Sequence, residues 1–196
     1  MSTFGGGRRR GARSEEPPAT GDAAQEADAD PEQVARAIAL RMLTAAPRSR
    51  AQLAEAMARR DVPEAVAERV LDRFTDVGLV DDAEYAGMVV RTRHAERGLS
   101  RRALGTELRR RGIDDETAAV ALEQVDDEDE EQAARALVRK KLRTTTGLDP
   151  QVRTRRTYAA LARKGYPPAL VGRVLREELA AEGIDAEEDG DLLPGG

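Results

Sequence analysis

Val70-Leu71-Asp72-Arg73-Phe74-Thr75-Asp76-Val77-Gly78-Leu79-Val80-Asp81-Asp82-Ala83-Glu84-Tyr85-Ala86 reads as one helix ending and another beginning. Val70, Leu71 and Phe74 recur at helical spacing, which places them on one face. Gly78 offers the left-handed residue that ends a helix, with Leu79 placed to close a Schellman-type contact. Asp81 and Glu84 then supply the side chains of a new helix N-terminus. A stop and a start this close together leave room for a tight turn and nothing else, so these helices pack as neighbours.

The same punctuation extends in both directions. Asp30-Pro31-Glu32-Gln33 opens a helix that runs to about Ala46, where Pro47 stops it. Ser49 and Gln52 form a capping box for a second helix, to about Arg60, and Pro63 starts the third, which ends at Gly78. The fourth runs from Asp81 to Gly98, the fifth from Ser100 to Gly112, and the sixth from Asp114 to about Val125. A seventh spans roughly Glu128 to Arg143. Asp149-Pro150 opens an eighth that ends at Gly165, and Pro167 a ninth, to about Ala181.

These helices repeat. Leu53, Met57 and Val62 recur as Leu104, Leu108 and Ile113 after a shift of 51, and as Thr157, Leu161 and Tyr166 after 53 more. The next helix follows suit: Val66, Val70, Leu71 and Phe74 correspond to Thr117, Ala121, Leu122 and Val125, then to Leu170, Val174, Leu175 and Glu178. Thr157 and Glu178 break the apolar pattern, and Tyr158 and Leu179 stand beside them as replacements. One further helix precedes each matched pair, so the repeating unit is three helices. The expected fold is all-α: three tandem three-helix repeats stacked into an elongated, curved array. Expected boundaries are 31–81, 82–126 and 127–181, flanked by disordered tails at 1–30 and 182–196, where large apolar side chains are few.

Composition agrees and excludes much. Charged residues are 35% and aromatics 3% of the 196 residues, which favours helix over sheet and thin apolar layers over one thick core. With no cysteine, disulfides and thiolate metal sites are excluded. No secretory signal or membrane-spanning apolar run is present, which points to a cytoplasmic protein. No catalytic constellation is visible, so neither an enzyme nor a small-molecule substrate, cofactor or metal is expected. The single histidine, His94, lies among Arg91, Arg93 and Arg97 and reads as a solvated surface residue. The acidic run Asp126 to Glu131 lacks the spacing of a calcium loop and reads as a carboxylate-rich helix entry.

The net charge of −5 conceals a strong polarity, because residues 135–176 hold 12 Lys and Arg against the single acid Asp149. Arg97, Arg101, Arg102, Arg109, Arg110 and Arg111 frame the fifth helix and read equally as a solvated face or a binding face. Arg139, Lys140, Lys141 and Arg143 close the seventh helix, and Arg153, Arg155, Arg156, Arg163 and Lys164 line the eighth. Here the missing acids favour a partner, since a purely solubilising face mixes both signs. Phosphates or an acidic protein surface fit. Phe74, Tyr85, Tyr158 and Tyr166 sit at core positions, leaving almost nothing to stack on bases. Backbone contact with DNA is therefore expected, and base reading is not.

The opening stretch resembles the junction between the first two repeats of the RecX family. Arg97-Gly98-Leu99-Ser100, Leu104, Glu107-Leu108 and Arg111-Gly112-Ile113-Asp114 resemble its second-repeat signature. Ala133 to Leu142 with Lys140-Lys141, and Arg163-Lys164-Gly165-Tyr166, are similar to the third. The resemblance covers roughly residues 35–180 and departs at Leu99, where a proline commonly follows the glycine, and at the spacer Thr144 to Pro150. It implies a non-enzymatic modulator that inhibits the RecA recombinase by lying along the RecA–single-stranded DNA filament, with accessory contact to the DNA backbone. Two other readings stay open: an architectural nucleic-acid-binding repeat protein without a recombinase partner, and a helical-repeat adaptor that binds a protein through its concave face.

Overall fold

The structure, a computed structural model, describes residues 30–183. Within them lie nine helices and no strand: α1 (Pro31–Ala45), α2 (Arg50–Ala58), α3 (Glu64–Asp76), α4 (Asp82–Arg97), α5 (Arg101–Arg110), α6 (Asp115–Leu122), α7 (Asp127–Arg143), α8 (Pro150–Ala162) and α9 (Pro168–Ala181). Side-chain oxygens of Asp30, Ser49, Asp81, Ser100, Asp114, Asp126 and Asp149 accept from the first free N–H groups of their helices. Each satisfies a donor that would otherwise lack a partner. Of the two tails expected to be disordered, only Asp30, Glu182 and Gly183 fall within the described residues; the rest lie outside them.

Three separate apolar cores follow the repeat. Leu53, Met57, Val70, Leu71 and Phe74 centre the first, Leu104, Leu108, Ile113, Ala121 and Val125 the second, and Leu161, Tyr166, Val174 and Leu175 the third. In the third, Thr157 is fully buried and turns its hydroxyl to the Arg153 carbonyl at 2.9 Å. Leu179 is buried in that core and Tyr158 packs against it, as their positions beside the pattern breaks suggested.

Two local expectations need correction. The Leu79 N–H reaches the Phe74 carbonyl at 2.8 Å, the long bond of a Schellman turn, yet its side chain is 50% exposed. The neighbouring Val80 is buried and supplies the apolar contact instead. The sixth helix stops at Leu122 and not at Val125. Its last bonds tighten to the i−3 carbonyl, from Glu123 to Val120 through Val125 to Leu122, as helix ends often do. Val125 remains in the core.

Consecutive units join head to tail through one repeated device. At the first joint, the Ser49 hydroxyl that begins α2 donates to the Arg111 carbonyl in the turn after α5, at 2.5 Å. The Arg50 N–H donates to Asp82 of α4 at 2.8 Å. At the second, the Ser100 N–H that begins α5 donates to the Lys164 carbonyl in the turn after α8, at 3.0 Å, and the Arg101 N–H to Glu130 of α7 at 2.9 Å. Each turn is built on a left-handed glycine, Gly112 with φ 75° and Gly165 with φ 85°. A Cβ on Gly112 would lie 2.2 Å from the Ala51 Cβ, and one on Gly165 2.5 Å from the Ser100 Oγ, so the close approach depends on glycine. The matching turn of the first unit carries Asp61, the single described non-glycine residue with positive φ, at 57°. It is exposed. Among the described residues, no hydrogen bond links the first unit to the third.

Candidate functional surface

The structure divides the cations marked out by the sequence into two groups. Arg97, Arg102, Arg110, Lys140, Arg143, Arg155, Arg156 and Arg163 are exposed, Lys141 and Lys164 are half-buried, and none of the ten has a carboxylate partner among the described residues. The other five are engaged. Arg101 pairs with Asp127 at 3.0 Å, Arg109 with Asp115 at 3.9 Å, Arg111 with Glu107 at 2.6 Å, Arg139 with Glu178 at 2.7 Å and Arg153 with Glu182 at 2.6 Å.

Arg153 does not share the exposed surface of α8. It is buried, and its guanidinium donates to the Leu142 carbonyl at 3.2 Å as well as to Glu182. Arg111 likewise belongs to the first joint: it donates to the Tyr85 hydroxyl at 2.6 Å, and that hydroxyl donates to Gln52 Oε1 at 3.1 Å. Burial would raise the Glu107 carboxyl, but hydrogen bonds from Arg111 and Arg93 outweigh it and hold Glu107 below its ordinary value.

The excess positive charge counted over 135–176 is partly an effect of where that window ends. Glu131 lies just before it and Glu177 and Glu178 just after. Arg135 donates to Glu131, Glu177 and Glu178 at 2.8, 2.6 and 3.0 Å, and Arg173 donates to Glu131 at 2.7 Å. Glu178 takes the place of Phe74 and Val125 in the repeat, so an ion-pair network replaces an apolar contact between α7 and α9. Hydrogen bonds from Arg173 and Arg135 push Glu131 down to about 2. A carboxylate whose value is depressed on folding stabilises above its unfolded value, near 4.5, and loses that contribution as pH falls toward 2. Glu131→Gln should therefore lower the melting temperature at pH 7, and the gap from the parent chain should narrow steadily as pH falls from 4.5 toward 2. A gap unchanged with pH, measured by circular dichroism, would show that the network does not depend on that charge.

His94 also differs from expectation. It is half-buried, with Nδ1 3.0 Å from the Leu99 carbonyl, so Nδ1 carries the proton and donates. The ring ties the end of α4 to the start of α5 rather than facing solvent. Phe74, Tyr85 and Tyr166 are buried, as their helical positions indicated. The acidic run does serve as a helix entry, with Asp126 accepting from the Asp129 N–H at 2.8 Å. Asp127 and Glu130 add a second role, holding Arg101 at the joint. Sequence reasoning missed the joint residues Ser49, Ser100, Gly112 and Gly165 as a set. The signal was available, since both the serine and the glycine recur at the repeat shift.

Fold and surface together define a tandem three-helix-repeat protein with polar joints and, on its second and third units, cations that have no carboxylate partner among the described residues. The first, second and third three-helix domains of RecX match residues 35–74, 81–122 and 128–175, in that order. The regulatory protein RecX of Thermobifida fusca is 52% identical over 78% of this chain and 83% of its own. That of Streptomyces coelicolor is 51% identical over 83% and 86%. The crystal structure of RecX from Lactobacillus salivarius superposes with a TM-score of 0.68 at 21% identity, covering 76% of this chain and 96% of that one. The chain belongs to the RecX family.

Proposed function

We propose that this chain restrains the RecA recombinase by lying along the RecA–single-stranded DNA filament, its exposed cations meeting backbone phosphates and acidic groups. The observation that carries this reading is the ordered match of all three RecX domains, with relatives named regulatory proteins. The charge distribution is compatible: Arg155, Arg156 and Arg163 on α8, with Lys140 and Arg143 on α7, are exposed and unpaired among the described residues. Burial of Phe74, Tyr85 and Tyr166 supports contact with the backbone and not with unpaired bases. The protein then acts in the cytoplasm as a ligand of the filament, without catalysis of its own.

The test is RecA-dependent ATP hydrolysis on single-stranded DNA with this protein titrated in. Hydrolysis should fall as the protein is added, at substoichiometric or stoichiometric ratios to RecA. Binding to DNA with hydrolysis untouched would favour an architectural nucleic-acid-binding role, and binding to neither DNA nor RecA would favour a protein adaptor.

A further inference from the structure

The two joints share an architecture but not a charge balance. At the first, the turn cation Arg111 is neutralised by Glu107 at 2.6 Å, and Arg93 meets the same carboxylate at 3.0 Å. At the second, the corresponding turn residue is Lys164, and the position that matches Glu107 is Ala160. Lys164 instead donates from Nζ to the Arg97 carbonyl. The Tyr166 hydroxyl donates to the Gly98 carbonyl at 3.1 Å, and Leu137 of α7 packs directly against Gly98. These contacts bring together the end of α4, the α8–α9 turn and the stretch of α7 that carries Lys140, one turn beyond Leu137. Burial, then the charges of Arg97 and Lys140, depress the Lys164 ammonium. The acids at this joint are engaged elsewhere: Glu130 accepts the Arg101 N–H and Asp127 its guanidinium.

Three cations therefore converge where the first joint shows that the architecture does not require them. Like charges held together without a counter-ion raise the local potential and draw an anion. We infer that Arg97, Lys140 and Lys164 form a phosphate site shared by the second and third units, which takes one phosphodiester of a nucleic-acid strand. The inference rests on the backbone contact proposed above and assigns it a place. Because the site draws on both units, it exists only while the joint is closed.

The test is binding of a fluorescent oligothymidylate by anisotropy across a salt series, with no RecA present, so its outcome is independent of the hydrolysis assay. Arg97 and Lys140 are exposed and make no side-chain ion pair among the described residues, so Arg97→Gln with Lys140→Gln should leave the helical signal intact. Losing the site's one phosphate contact should reduce the salt slope by about 0.7 in magnitude and the affinity about fivefold at 0.1 M salt, at about 0.7 per phosphate on a single strand. Arg41→Gln with Arg69→Gln, exposed cations of the first unit, should bind like the parent. Gly165→Ala should also lose the slope, although it removes no cation. Gly147→Ala, with φ 86° and nothing within 4 Å, should keep it. An unchanged slope in the Arg97/Lys140 variant would overturn the site, as would an equal loss in the first-unit control. If Gly165→Ala fails to fold, the Arg97/Lys140 variant still decides. Inorganic pyrophosphate at matched ionic strength separates the two sources of phosphate. Failure to displace the oligonucleotide supports a strand, and displacement from the parent but not from the double variant would overturn it in favour of free diphosphates.

Discussion

Gly112→Ala should destabilise the protein by about 2–5 kcal/mol in denaturant unfolding, more than its exposed position suggests. A left-handed residue with a Cβ costs about 1–2 kcal/mol, and forcing a methyl into a packed contact adds about 1–3. The contact is severe, since the new Cβ would sit 2.2 Å from that of Ala51 across the first joint. Gly78→Ala separates the two contributions. Gly78 has φ 71°, but a Cβ there would meet nothing within 4 Å, so it should lose only the backbone part, about 1–2 kcal/mol. Equal losses at both positions would mean that the joint yields freely and that its close packing contributes little to stability.

Leu108→Ala should cost about 2–5 kcal/mol, because it empties a fully buried site in the core of the middle unit. That unit carries both joints, so its loss also removes the docking surface of its two neighbours. Val120→Ala, at a position 62% exposed on the next helix, should change stability by less than about 0.5 kcal/mol. A loss at Leu108 as small as that at Val120 would place the side chain outside the core.

The helices and their order were legible because their signals are local. Ser49 with Gln52, Asp81 with Glu84 and Asp149 with Pro150 each announce a helix start within four residues, and caps act at that range. The core was legible through the shifts of 51 and 53, since repeated apolar positions face repeated environments. The joints were hidden for the opposite reason. Gly112 and Gly165 already have a sufficient local explanation as helix terminators, and their second role depends on Ala51 and Ser100, more than sixty residues earlier. Charge was the least legible property. A linear window gave Arg135, Arg139 and Arg173 as surplus cations, whereas helix packing sets Glu131, Glu177 and Glu178 against them. Arg153 was hidden in the same way, turned inward to Leu142 and Glu182 by its position on α8.

Asp61 sets the turn of the first unit apart from the other two. Where the second and third units offer a bare glycine turn for docking, the first presents a turn with a side chain and a carboxylate. Another copy could not seat that turn on a serine-capped helix without placing a Cβ where the two existing joints have none. Within the chain the joints set a direction, each glycine turn seating on the serine-capped helix of the unit before it.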